Sequence, residues 1–398
     1  MDESLPEDVV SLLQAMIRVN SVTPHASGTP DAERELADKM AALAVAWGLE
    51  ANPLSVDGAA PNVLVTTHVD EQAPWLLLDS HLDTVDVGGM TVDPFGGELR
   101  DGRVYGRGAC DTKGTGAAML WALREAMAAG SAAANVAILF SVGEEHWQLG
   151  ARWFVEQQLT RLGWRPAGVV VGEPTEVHAV AASNGFLRCR LTTRGRAAHS
   201  STPDRGRNAV SDMARVIAAI EERHIAGITA SHPLTGRGTC SINGITGGTQ
   251  HNIIPESCEI QIDQRLAPGE VASDALASIH AAVAPVAEER PGLDYEIHTV
   301  ETAPPFASEA SLAWGDRVAE KLRAAGFAST VRGAPYTTNA NHYAAADLPC
   351  VVLGPGDIAQ AHTADEWIAV DALQEGVRAY RALIDDPPFA VQDAEAGA

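Results

Sequence analysis

Basic residues are scarce in this chain of 398 residues: 28 Lys plus Arg stand against 52 Asp plus Glu, a formal net charge of −24 at pH 7. A field of that sign repels phosphate backbones and anionic lipid headgroups, so neither nucleic acid nor a membrane surface is an expected partner. Lysine is confined to Lys39, Lys113 and Lys321, a bias that carries no chemistry by itself. Cysteine is sparse as well. Cys110, Cys189, Cys240, Cys258 and Cys350 are odd in number, widely spaced and without a CxxC pair, which excludes a disulfide framework and a cysteine zinc site and predicts reduced thiols. No run of about 18 apolar residues is present to span a bilayer. The acidic start, Met1–Asp8, lacks the basic and apolar regions of a secretory signal, so a cytoplasmic location is expected. Internal repeats and low-complexity segments are missing too.

What is present is the balance of a folded globular chain, 46% apolar and 20% charged, long enough for two or three domains at roughly 150 residues each. Ser4, Pro6 and Glu7 suggest a capping box for a first helix carrying Val9, Leu12, Leu13 and Met16 at helical spacing. A second helix is predicted near Ala32–Trp47. Short apolar runs at Asn62–Thr67, Trp75–Leu78, Val136–Val142 and Gly168–Val171 read as strands, with helices near Gly114–Ala129 and Gly150–Leu162. Nearly continuous apolar strands alternating with helices predict an α/β architecture, a sheet buried on both faces, whose ligands gather at the strands' carboxyl ends.

From about Asn184 the texture changes. Phe186–Thr193 and Ser257–Arg265 alternate like half-exposed strands, with helices near Asn208–Arg223 and Ala272–Ala284, the latter ended by Pro285. This predicts a small α+β insert over residues 184–300, dividing a layer built from residues 1–183 and 301–398. The α/β texture returns with a helix near Ser311–Ala325, a strand at Pro349–Gly354 and a last helix near Val370–Ile384.

Candidate chemistry sits where strands end. Asp79-Ser-His81-Leu-Asp83 places His81 and Asp83 on one face of an extended segment; a carboxylate there can hold the second nitrogen of a metal-bound histidine, although a structural hydrogen-bonded pair has the same pattern. Gly106-Arg-Gly108-Ala-Cys-Asp111-Thr-Lys-Gly114 is neither a P-loop nor a dinucleotide fingerprint. Asp111 in its glycine-shaped turn suits a metal or, equally, the cap of the following helix. Gly143-Glu144-Glu145 puts adjacent carboxylates at a buried sheet edge, costly unless a cation or a proton neutralises them. Gly172-Glu173-Pro-Thr175 delivers a further acid and Ala361-His362 a further imidazole. An O/N set without sulfur suits zinc, and also cobalt or manganese.

The ordered motifs Ser80-His-Leu-Asp83, Gly106–Gly114, Gly143-Glu-Glu145, Gly172-Glu-Pro-Thr175 and Ala361-His362 resemble those of the M20 family of cocatalytic zinc peptidases and deacylases. That family includes acetylornithine deacetylase, succinyl-diaminopimelate desuccinylase, aminoacylase and glutamate carboxypeptidase, and the similarity runs from the first helix to about Ile384. It implies a mixed-sheet catalytic domain with helices on both faces and an inserted α+β lid or dimerisation domain. It also implies two Zn²⁺ per subunit: His81, Asp111 and Glu173 around one, Asp111, Glu145 and His362 around the other, with Asp111 shared. Asp83 would orient His81, Glu144 would be the general base, and the Asp111–Thr112 peptide would be cis. Gly195–Pro203 and Gly206–Ala209 resemble the lid, which makes His199 the histidine that polarises the scissile carbonyl, often from a partner subunit. Asn252 and Arg265 resemble the pair that holds a substrate carboxylate. One departure stands out. Where many members carry an acidic residue after a threonine, this chain has Asn339, and a neutral amide cannot pair with a cationic group such as ornithine's.

The expected activity is removal of an acyl group from an N-acylated amino acid, a small molecule carrying an amide and a carboxylate, by a homodimer joined through the insert. A dipeptidase or glutamate-type carboxypeptidase of the same family is the alternative. His25, His224 and His298 are taken as ordinary surface or core residues.

Overall fold

The computed structural model describes residues 5–390 and divides into two compact units. One takes the chain up to Ala181, Ala307–Arg332 and the part from Thr338 on; the other takes Ala182–Phe306 with Gly333–Thr337.

The first unit is built on the larger of the sheets. Its eight strands lie in the order Glu50–Leu54, Asn62–Thr67, Asn135–Ser141, Trp75–His81, Pro166–Val171, Cys350–Val352, Ala179–Ser183, Val331–Ala334. The central four run parallel, and antiparallel partners flank them. Every residue of Asn62–Thr67, Trp75–His81 and Asn135–Ser141 is buried, because helices cover both faces and each strand must be apolar on both sides. Lys113–Ala129 and Val370–Asp385 contribute Ala118, Leu120, Leu123, Leu373, Val377 and Leu383 to the apolar core around that sheet.

The first helix, Val9–Ile17, begins later than the sequence suggests. Asp8 is its cap, accepting from the Ser11 amide at 2.7 Å while Ser11 Oγ accepts from the Asp8 amide at 3.0 Å and from the Glu7 amide at 3.1 Å; Ser4 lies outside the described residues. The stretch predicted as a helix over Gly150–Leu162 is α-helical only at Leu149–Trp153, then widens to a π-turn and tightens to a 3₁₀ turn.

The second unit is an antiparallel sheet, Thr239–Gly247, Ser257–Leu266, Gly185–Arg194, Asp294–Ala303 in that order. Leu187, Leu191, Ile260 and Ile262 meet Met213 and Val216 of the helix Ala209–Ala219 and Ile279 and Val283 of the helix Ala272–Glu289 in one cluster. The alternate positions, such as Arg188 and Glu259, stay on the open face. Pro285 does not end its helix, which continues to Glu289. Val286, only 5% exposed, belongs to the same core, so burial beyond the proline outweighs the hydrogen bond that the ring removes. Among the described residues no helix is long and apolar enough to cross a membrane.

Candidate metal and catalytic site

The parallel strands bring their carboxyl ends to one edge. His81 ends Trp75–His81, Glu144 and Glu145 follow Asn135–Ser141, and Glu173 follows Pro166–Val171. His362 comes from the loop after Cys350–Val352 with a positive φ of 60°, a conformation held at a cost by its surroundings. Asp111 precedes the helix Lys113–Ala129, and the Asp111–Thr112 peptide is cis.

Asp111 stands between two imidazoles. Its Oδ1 lies 3.1 Å from His81 Nε2 and its Oδ2 lies 3.3 Å from His362 Nε2. Glu145 Oε1 is 3.1 Å from the same His362 nitrogen, and Glu173 Oε1 is 3.9 Å from His81 Nε2. Ligand atoms of His81, Asp111 and Glu145 all fall within 4.8 Å of one another. His81 Nδ1 lies 2.9 Å from the backbone carbonyl of Asp83. That acceptor places the proton on Nδ1, so in the neutral ring the lone pair of Nε2 faces carboxylate oxygens. Lone pair against lone pair is repulsive, and either a second proton on the ring or a metal cation between them resolves it.

Electrostatics give the same picture. Burial, reinforced by Asp111, pushes the Glu173 carboxyl well above its ordinary value. Burial raises Glu145 as well, against a hydrogen bond from His362, and raises Glu144 to about 8, with Glu145, Asp83 and Asp111 adding repulsion. Hydrogen bonds to Asp111 and Glu145 lift His362 to about 10. Burial works against protonation of His81, yet its bonds to Asp111 and Asp83 carry it well above the usual range. Buried carboxylates this close need compensating positive charge. The donor set, carboxylates and imidazoles without thiolate, fits hard or borderline divalent ions.

Asp83 does more than the sequence suggests. Its Oδ1 is 3.5 Å from His81 Nδ1, farther than its own backbone carbonyl. Its two oxygens accept from the amides of Glu144 at 2.9 Å and Glu145 at 3.0 Å, so it fixes the loop that carries both acids.

Two further buried carboxylates escaped the sequence analysis as site residues. Glu366, fully buried, accepts from the amides of Gly108, Cys110 and Asp111 at 2.8–3.0 Å and from Arg107 at 2.9 Å. It holds the glycine-rich turn that presents Asp111. Glu33, 1% exposed, is raised by burial and by Asp83 to about 7, with the Gly143 backbone working the other way. Two consecutive amides, those of Glu144 and Glu145, are gripped by Asp83. Neither Glu366 nor Glu33 is flagged by a motif, since their partners are backbone amides distant in sequence. His25 is exposed and stacks on His146 with centroids 4.0 Å apart.

Asn339 is 1% exposed and donates to Asp79 Oδ1 and Ser141 Oγ, each at 3.0 Å. Tyr343 gives its hydroxyl to the same Asp79. The amide at this position serves a buried aspartate, which removes it from direct pairing with a substrate's cation.

His199, Asn252 and Arg265 belong to the second unit. The Ser200 amide donates to the Asn252 carbonyl at 3.0 Å and the Ile254 amide to the Ala198 carbonyl at 2.8 Å, which lays the His199 loop beside the Asn252 loop. The exposed His199 accepts at Nδ1 from the Ser201 amide at 3.2 Å, so its neutral ring carries the proton on Nε2, ready to donate. Arg265 is held through Nε by Asp263 at 2.8 Å, and Asp263 also accepts from Arg188 at 3.0 Å.

Residues 77–386 match the profile described as peptidase family M20/M25/M40. The chain belongs to this family. It is 31% identical over 389 residues to an acetylornithine deacetylase of Klebsiella pneumoniae (strain 342), covering 92% of this chain and 94% of that protein. The fold is shared with an M20 family metallo-carboxypeptidase from Sulfolobus solfataricus, at a TM-score of 0.81 and 18% identity over 96% and 99% of the two chains. It is shared as well with a dinuclear metal-binding M20 peptidase from Bacillus subtilis, at 0.71 and 14% over 95% and 96%. This M20 chain is a metal-dependent hydrolase of amide bonds.

Proposed function

We propose that the protein removes the acyl group from an N-acylated amino acid, with two divalent ions, zinc in the first place, held by His81, Asp111 and Glu173 and by Asp111, Glu145 and His362. The observation that carries this is the Asp111 carboxylate facing one imidazole nitrogen with each oxygen, at 3.1 and 3.3 Å, beside a half-buried acid, Glu144, that takes no part in that contact. Bound there, such ions supply the Lewis acidity that polarises a carbonyl and acidifies water. The rest falls to side chains. Glu144 accepts the proton of the attacking water and hands it to the departing amine. Asn252 and Arg265 receive the substrate carboxylate, Arg265 as the charged member of the pair. The acetylornithine deacetylase relative favours a deacylase over a dipeptidase.

The test is a panel of N-acetyl, N-succinyl and N-formyl amino acids beside simple dipeptides, assayed for released amine with added Zn²⁺ or Co²⁺. Fastest turnover on a member of the acyl series is expected; dipeptides cleaved faster than every acyl compound would replace this reading.

His199, with its donor on Nε2, is assigned to the oxyanion. A donor in that role is worth roughly 10²–10³ in rate, so His199→Ala should lower kcat by that factor with metal content unchanged. Mixing it with Glu144→Gln protein under conditions of subunit exchange should restore turnover if His199 acts across a dimer. Wild-type kcat in His199→Ala would remove it from the chemistry.

A further inference from the structure

The loop after Asn135–Ser141 returns on itself. The Gln148 amide donates to the Glu144 carbonyl at 3.3 Å, the Leu149 amide to Gly143 at 3.0 Å and the Gly150 amide to Val142 at 2.8 Å. Trp147 and Gln148 both have positive φ, 78° and 49°, uncommon for residues with a side chain and costlier still in succession. The consequence is a Gln148 side chain, on a residue 5% exposed, whose Nε2 donates to Glu144 Oε1 at 3.4 Å. Its Oε1 in turn lies 2.9 Å from Nε2 of His342, on the helix Ala340–Ala345.

The direction of this chain is fixed by chemistry. Gln148 turns its NH₂ to Glu144, and its oxygen then requires a donor, the Nε2–H of His342. Burial, with the charge of Arg152 adding, holds His342 down to about 4, which keeps the ring neutral.

We infer that Gln148 and His342 are positioning residues for Glu144: the Gln148 amide occupies Oε1, and His342 keeps that amide from turning over. With an N–H donor directed at Oε1, the two oxygens of Glu144 are no longer equivalent, and Oε2 is the one left to take an arriving proton. The inference rests on the reading of Glu144 as general base. It differs from the role of Asp83, which holds the backbone of the same loop.

Gln148→Met keeps the length and removes the donor. Loss of a hydrogen bond to the base predicts a fall in kcat of roughly 10–100-fold, measured on the fastest-cleaved member of the panel. KM, metal content and the visible absorption of the Co²⁺-loaded protein should not change. Gln148→Asn, too short to reach, should show the same loss if the Met variant is poorly folded. His342→Phe should lower kcat in the same way, and His342→Gln, which again offers a donor, should recover part of it. In a Glu144→Gln background Gln148→Met should cost nothing further. Wild-type kcat in Gln148→Met or Gln148→Asn, or loss of metal in step with kcat, overturns the inference. If Glu144→Gln itself keeps full turnover, the reading of the base fails instead, whatever Gln148 does.

Discussion

Replacing Glu144 by glutamine is expected to lower kcat by about 10²–10⁴-fold, the usual cost of removing a general base, and to leave both metals in place. The geometry separates Glu144 from its neighbour. Asp83 holds both backbone amides, at 2.9 and 3.0 Å, yet the side chains part: Glu145 goes to His362 at 3.1 Å and Glu144 to Gln148 at 3.4 Å. Glutamine keeps the shape and an oxygen for Gln148, so the loop is undisturbed and only proton acceptance is lost. Burial and neighbouring acids make Glu144 basic for a carboxyl, about 8, which suits an acceptor of a proton from acidified water. Metal analysis alongside steady-state kinetics decides the matter. Near wild-type kcat would take the base role from Glu144, and loss of one metal would make it a ligand.

How far the sequence could lead depended on whether a feature is local. Asn62–Thr67 and Trp75–His81 are buried at every position, so a plain apolar run announces them. The candidate site residues were legible for a related reason: parallel strands end on the same edge, and His81, Glu144, Glu145 and Glu173 stand at or just beyond the end of such a run. Strands without an apolar pattern were not legible. Glu50–Leu54 is an edge strand with no buried residue and a proline, and the small sheet pairs Trp367–Ala369 with Arg103–Tyr105, segments of three residues too short to show a period. The supporting acids fail for the same cause. Glu366 reaches the Asp111 turn, and Glu33 the Gly143 loop, only through folding, and nothing near either residue in the chain marks a partner. Asn339 was conspicuous in its motif, but its donation to the buried Asp79 could not be read from the chain, because that partner lies 260 residues away.

Asp111→Asn is the second large effect expected, because one carboxylate faces both imidazoles. His81 and His362 lie 3.1 and 3.3 Å from its two oxygens, so a neutral amide with a single carbonyl oxygen removes a charge from both proposed sites at once. Metal content should fall from two per chain towards zero, and kcat by on the order of 10³-fold or more, the several kcal/mol that metal ions supply at 1.36 kcal/mol per factor of ten. Glu173→Gln, which touches only the His81 side, should lose one ion. The variant should still fold, since Glu366 grips the turn through backbone amides and Arg107 rather than through the Asp111 side chain. Thermal unfolding supplies a readout independent of turnover. Ions that bind only the folded chain stabilise it by about 2.7 kcal/mol at a hundred times Kd, so Zn²⁺ should raise the Tm of chelated wild-type protein and leave that of Asp111→Asn where it was. Equal Tm shifts in the two proteins, with two ions retained by the variant, would show that Asp111 is not shared.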